Sequence, residues 1–385
     1  MLCVMAATAV FHELPLVTTL SLVPTQDVEK MLARAERLVA AHCFADAAVE
    51  LASIWEDVRN DPPRALRQRL TLAWAELYLG ELDEAEELLA HAEAIATSPH
   101  FDAADRSEVL YRQGCVTLKQ NRVADAATLF TRALDSNDRA PRPRAALASR
   151  THEWRSRCHV RARDWDAARR DVERAIELAL EARDPEAHAH ALFQASIVAE
   201  RQNQWLLARC YAERALALYS DLGNKLCTAR VLNNLGGIDF LLGDAEAAEE
   251  ALLGAIDSAS EAASDVDLAQ AVNSLARVLL DSGRPAEARA RALRAVELLE
   301  HRSDYLDELG NAQLVVARSL QADGRPTEAA AWLERAADTC TRLGSSSHLA
   351  LVLVAQGDLA QSAHDADTAA QLYRRATELL QDIHF

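Results

Sequence analysis

Residues 235–256 read LGGIDFLLGDAEAAEEALLGAI. Two later stretches, LARVLLDSGRPAEARARALRAV at 275–296 and VARSLQADGRPTEAAAWLERAA at 316–337, fall into register with it. Each carries a small residue (Gly236, Ala276, Ala317) and then a glycine seven positions on (Gly243, Gly283, Gly324). An alanine follows five beyond (Ala248, Ala288, Ala329), and another seven later (Ala255, Ala295, Ala336). Self-similarity at a fixed period marks a repeat architecture. Extended both ways, the frame gives nine units spaced 38 to 42 residues apart. The first small position is Ala35, Ala73, Gly114, Ser156, Ser196, Gly236, Ala276, Ala317 and Gly357. The second is Ala47, Ala85, Ala126, Ala168, Ala208, Ala248, Ala288, Ala329 and Ala369. The third is Ile54, then Ala92, Ala133, Ala175, Ala215, Ala255, Ala295, Ala336 and Ala376.

Physically, each unit reads as two antiparallel helices joined by a tight turn. The small residue of the first helix faces those of the second, so the two backbones approach closely. On this reading Gly236 is a contact glycine and Gly237 a tolerated neighbour on the open face. Gly80, Gly243, Gly283 and Gly324 supply the left-handed residue that ends a first helix. Pro285 and Pro326 open second helices, where a missing N–H costs little. One hairpin cannot bury its apolar face alone; stacking on neighbours does that.

The pattern resembles the tetratricopeptide repeat family over about residues 28–382, with Phe130 and Tyr373 at the neighbouring packing site. The family's usual repeat is about 34 residues, so units near 40 resemble its longer-helix branch. That branch is found in kinesin-light-chain-type adaptors, bacterial peptide-sensing regulators and the helical tails of signalling ATPases. The family's first-helix Trp is absent, although Trp165 and Trp205 stand at second-helix starts. The resemblance implies an all-α right-handed α-α superhelix of about nine hairpins over 28–385, after an apolar leader at 1–27. It also implies first helices on the concave wall and second helices outside.

Composition agrees. Alanine fills 77 positions and aromatic residues only 5% of the chain. The net charge of −18 argues against nonspecific binding to nucleic acid or anionic membranes. Seven scattered cysteines without a C-x-x-C pair read as free thiols in a reducing compartment, so a cytoplasmic protein is expected. The leader lacks a positive n-region, its first cation being Lys30, and no apolar run is long enough for a membrane span. No phosphate-cradling loop, H-E-x-x-H or G-x-S-x-G is present. His188 and His190, two apart, point to different sides of a helix and make a poor metal pair. No enzyme activity, cofactor or metal is expected.

The concave positions of units three to eight are Arg112, Lys119, Arg150, Trp154, Arg157, Arg161, Phe193, Gln194, Arg201, Arg230, Asn233, Asn234, Asn273, Arg277, Asn311 and Arg318. Against their nine cations stand only Glu108, Glu153, Glu200 and Asp281, so charge is sorted with the acids outside. From Arg139 to Arg174 there are eleven arginines and five acids, which reads either as a solvated face or as part of the groove. Asn offers a donor and an acceptor to an extended peptide backbone, and Arg clamps carboxylates. The expected function is a non-catalytic scaffold that binds an acidic or C-terminal peptide segment of a partner protein in the groove. The alternative is a ligand-responsive regulator acting in trans. Leu379, Leu380, Ile383 and Phe385 lack an obvious cover, which leaves open a homodimer through the last helix.

Overall fold

A computed structural model describes residues 25–302 and 305–381, so most of the apolar leader, Ile383 and Phe385 lie outside the described residues. The described chain is nineteen helices with no strand. The first unit is α1 (Thr25–Ala40), α2 (Phe44–Ser53) and the single turn α3 (Trp55–Val58). Four pairs follow: α4 (Pro62–Leu79) with α5 (Leu82–Ala96), α6 (Ala103–Lys119) with α7 (Val123–Asp138), α8 (Ala145–Arg161) with α9 (Trp165–Ala182), and α10 (Pro185–Arg201) with α11 (Trp205–Asp221). The last four are α12 (Lys225–Leu241) with α13 (Ala245–Glu261), α14 (Asp265–Asp281) with α15 (Pro285–Leu299), α16 (Leu306–Ala322) with α17 (Pro326–Leu343), and α18 (Ser346–Ser362) with α19 (Ala366–Gln381). Together they form a right-handed α-α superhelix.

The repeat frame is the packing frame. The alanines and serines of the small positions, and Ile54, are at most 2% exposed. Ile54 also marks the one interruption: where other units have alanine, the second helix of unit one breaks into α2 and α3. A Cβ on Gly236 would lie 2.5 Å from Leu252 Cγ and 3.1 Å from the Ala248 carbonyl oxygen, whereas one on Gly237 meets nothing within 4 Å. Gly114 and Gly357 lie against the rings of Phe130 and Tyr373 in the same way. The small position is thus glycine where Phe130, Leu252 and Tyr373 press closest, as a densely packed core requires.

Every turn inside a unit holds one left-handed residue: His42, Gly80, Asn121, Arg163, Asn203, Gly243, Gly283, Gly324 and His364. Glycine therefore fills only four of nine equivalent positions. Consecutive first helices touch one another, as α8 does α10 and α14 does α16, while no two second helices pack to a comparable extent. First helices crowd together on the inside of the curve, and second helices splay on its outside. At the far end, Leu379 packs with Leu353 and Ala376, and Leu380 stays 41% exposed.

Candidate binding site in the concave interior

The hollow enclosed by the first helices is wrapped tightly enough for distant units to sense one another. Tyr78 on α4 lies within electrostatic reach of Arg157 on α8 and Arg230 on α12; burial pushes its hydroxyl up to about 12 against both cations. His42, on the turn of unit one, faces Arg230 and Asp267. Together with Ala40 and Ala41 it lines a cavity of about 370 Å³, whose opposite wall includes Leu222, Gly223, Asn224 and Lys225 of the α11–α12 turn. Such reach across four or five units runs through the hollow, not along its wall. The first unit has come round to meet the sixth.

Cations dominate this interior, and most are anchored. Arg157 Nη2 lies 2.6 Å from Glu153 Oε1, and its guanidinium stands 4.4 Å over the Trp154 ring. Arg230 donates to Asp267 Oδ1 at 2.7 Å, and Arg150 to Asp184 at 3.2 Å. Arg112 and Arg161 act as staples: each donates to a carbonyl of the preceding first helix, Leu70 at 3.0 Å and Leu118 at 2.9 Å. Arg112 also pairs with Glu108 at 2.9 Å. Lys119 is different: the residue is exposed, and among the described residues its ammonium has no hydrogen bond or ion pair. Burial by surrounding atoms, and then Arg157, Arg230 and Arg161, hold its pKa below the ordinary lysine value.

An imidazole, a buried carboxylate and a set of rings complete the wall. His190 shares a 2.8 Å hydrogen bond with the Tyr219 hydroxyl, and burial plus Arg157, Arg150 and Arg230 lower its pKa to about 3. That imidazole is neutral at pH 7. Glu153, only 3% exposed, is pushed upward by burial in spite of Arg157. An aromatic sheet closes one side: Phe44 and Tyr78 stack at 4.6 Å, while Trp74 contacts Tyr78, Tyr111 and Trp154 edge-on or tilted. Tyr78 keeps 39% of its surface open.

The sequence-derived residues divide by this geometry. Arg150, Arg157, Arg161, Arg230 and Lys119 converge on the hollow. Trp154, Gln194 and Asn273 are buried, at 6%, 3% and 3% exposure, and stand behind the wall. Trp154 is spent on packing against Phe130 and Trp74. Asn234 is already engaged, accepting from Ser196 Oγ and donating to Glu200 Oε2, both at 2.8 Å. Asn233 and Asn273 each keep a buried amide oxygen with no hydrogen-bond partner. Arg201, Arg277 and Arg318 are exposed with no ion pair among the described residues, and Asn311 is half-buried. Phe44, Trp74, Tyr78 and Tyr111 escaped the sequence reading; the visible signal was Trp74 and Tyr78 one helical turn apart in an aromatic-poor chain.

The basic stretch also divides. Arg150, Arg157 and Arg161 turn inward, while Arg155 makes a two-pronged bond to Asp171 on α9 at 2.7 and 2.8 Å. His152 joins the same carboxylate at 2.8 Å. Cys115 and Cys158 are buried packing residues whose thiols burial pushes up, Cys158 to about 11. Among the described residues no group of three His, Cys, Asp or Glu is placed to hold a metal, and no helix is long and apolar enough to cross a membrane.

Fold and interior define a helical-repeat protein built around a charged, partly aromatic hollow. Residues 227–301 and 308–382 match the tetratricopeptide repeat model, so units six to nine are tetratricopeptide-like repeats. The chain's fold is that of RapI in its apo form, at 11% identity and a TM-score of 0.66 over 92% of this chain and 98% of that one. The apo quorum sensor NprR from B. thuringiensis is similar at 14% identity and a TM-score of 0.66, over 92% and 99% of the two chains. A Rap protein complexed with Competence and Sporulation Factor is similar at 15% identity and a TM-score of 0.60, over 93% and 99%. No curated protein matches the sequence.

Proposed function

We propose that this chain is a non-catalytic cytoplasmic binding protein whose concave interior takes an extended, anionic peptide segment of a partner. The carrying observation is the sorting of charge: Lys119, Arg150, Arg157, Arg161 and Arg230 gather inside a protein of net charge −18. Walled by protein, these cations act through a lower dielectric than surface charges, so a matching anion is held more strongly. Asn233 supplies a further polar atom without an internal partner. That a quorum sensor and a factor-bound Rap protein share the fold is consistent with peptide recognition in such a hollow.

A regulator acting in trans is the second reading, favoured by one observation. The first unit meets the α11–α12 turn around a cavity, and both ring nitrogens of His42 there are buried, with Asn224 near but neither nitrogen in a well-formed hydrogen bond. A ligand that satisfied them would tighten the closure and so change the superhelix.

Fluorescence anisotropy with labelled hexapeptide pools, one rich in Asp and Glu and one in Lys and Arg, tests the binding reading. Acidic pools should bind, basic pools should not, and Arg277→Glu should weaken binding by about tenfold and reduce its salt dependence. The outer-face change Glu250→Arg should leave it unaltered. Equal binding of both pools, or loss on Glu250→Arg alone, would place the partner on the convex side.

A further inference from the structure

Within the hollow one cluster is out of electrical balance. Lys119 ends α6, and Arg157 and Arg161 lie one turn apart on α8. The Arg161 hydrogen bond to the Leu118 carbonyl, 2.9 Å long, places that guanidinium beside the Lys119 backbone. Arg230 reaches the same space from α12, close enough for it and the two α8 arginines to depress the Lys119 pKa after burial has done so. Two carboxylates answer these four cations, Glu153 on Arg157 and Asp267 on Arg230. Two positive charges, on Lys119 and Arg161, remain without an ion pair among the described residues. The side chains of Arg157 and Arg230 stay 38% and 41% exposed, and Lys119 is open, so the space between them admits a ligand.

We propose that Lys119, Arg157, Arg161 and Arg230 form a seat for a phosphoryl dianion inside the hollow. A dianion cancels the surplus charge that one carboxylate would only halve. Guanidinium forks match phosphate oxygens in pairs, and a lysine adds a point charge that adapts to the remaining oxygen. Tyr78, with an open face near Arg157 and Arg230, offers a surface for whatever group carries the phosphate. The inference rests on the reading that the hollow is the binding site, and it names which chemistry the hollow selects. The phosphoryl group could belong to a free metabolite or to a modified side chain of a peptide; the seat is the same.

Isothermal titration of the full chain at pH 8 with inorganic phosphate, and with acetate at matched ionic strength, tests it. Saturable phosphate binding is expected, at least tenfold tighter than acetate, and lost by at least tenfold in Lys119→Met. Lys119 has no hydrogen bond or ion pair among the described residues to break, and an unchanged circular-dichroism spectrum confirms the variant's fold. Arg174→Met, on an outer helix, should bind like wild type. Phosphate binding no tighter than acetate, or unchanged in Lys119→Met, or lost in Arg174→Met, overturns the seat. Two further probes assign the source: free phosphoserine, and acetyl-Ala-Ala-phosphoserine-Ala-Ala-amide. Equal affinity supports a small metabolite, and a tighter pentapeptide supports a modified protein segment. Should acidic hexapeptides bind while phosphate does not, the seat falls and the peptide reading stands; the reverse result does the opposite.

Discussion

Units two to four and units seven to nine build the same wall from different materials. In the first group the inner helices carry Trp74, Tyr78, Tyr111 and Trp154, with Phe130 behind them. In the second group α14, α16 and α18 have no Trp, Tyr or Phe at all. The family match falls on units six to nine, the regular part, and leaves units one to five unmatched. Regularity and chemistry have separated along the chain. In units six to eight every turn inside a unit keeps its glycine, whereas in units three to five, where cations and rings gather, Asn121, Arg163 and Asn203 take its place.

The largest expected effect breaks that comparison at Phe130. Its ring is fully buried, lies on Gly114, and touches both Tyr111 and Trp154. Phe130→Ala should cost about 3–5 kcal/mol, because a cavity opens beside the aromatic sheet. In a solenoid stability is a sum of local terms. Hydrogen exchange should therefore show protection lost across α4 to α8 and retained across α14 to α18. Uniform loss along the whole chain would mean that the closure of unit one on unit six couples the two halves.

The frame was legible because it depends on size alone. A position where two helix backbones meet tolerates Gly, Ala or Ser, and such a restriction repeats visibly in every unit. Gly236 could even be told from Gly237, since only one falls in the frame. The interior was legible only by helix face. Direction separates Arg157 from the solvent side, but not a wall residue from one behind it, so Trp154 and Gln194 were placed too far forward. Asn234 shows a second limit: its partners Ser196 and Glu200 lie 38 and 34 residues away, on the neighbouring inner helix. The meeting of His42 with the α11–α12 turn depends on superhelical pitch, a sum of small rotations that no local motif records.

A second, smaller effect separates the halves by pH. His190 has a folded pKa near 3 through burial first and then Arg157, Arg150 and Arg230. The unfolded value is about 6.5. Because the folded pKa is the lower one, the unfolded chain binds the proton more readily between them. Stability from this site is complete above about pH 6.5 and falls as pH drops towards 3, at most by about 1.4 kcal/mol per pH unit. His190→Gln keeps an acceptor for the Tyr219 hydroxyl and removes the titration. Denaturant melts at pH 7 and pH 5 should show a drop for wild type of up to about 2 kcal/mol, and a flatter response for the variant. Equal drops would mean that other groups govern acid sensitivity.

The smallest effect tests whether drift in the turns has a conformational cost. Arg163 and Gly283 occupy the same place in their units, with φ of 59° and 75°. An L-residue in the left-handed region suffers a steric penalty of about 1–2 kcal/mol, which glycine escapes at some expense in unfolded-state entropy. Arg163→Gly relieves that penalty but gives up the interaction its side chain makes, so it should stabilise by no more than about 0.5 kcal/mol. The reverse change, Gly283→Arg, should destabilise by about 1 kcal/mol. A Cβ at Gly283 meets nothing within 4 Å, so only the backbone contributes. Opposite shifts of melting temperature, small and of these signs, would show that units three to five carry strain that units six to eight have shed. If Arg163→Gly instead lowers stability, the arginine side chain contributes more at that turn than its backbone loses, and drift there is adaptation and not relaxation.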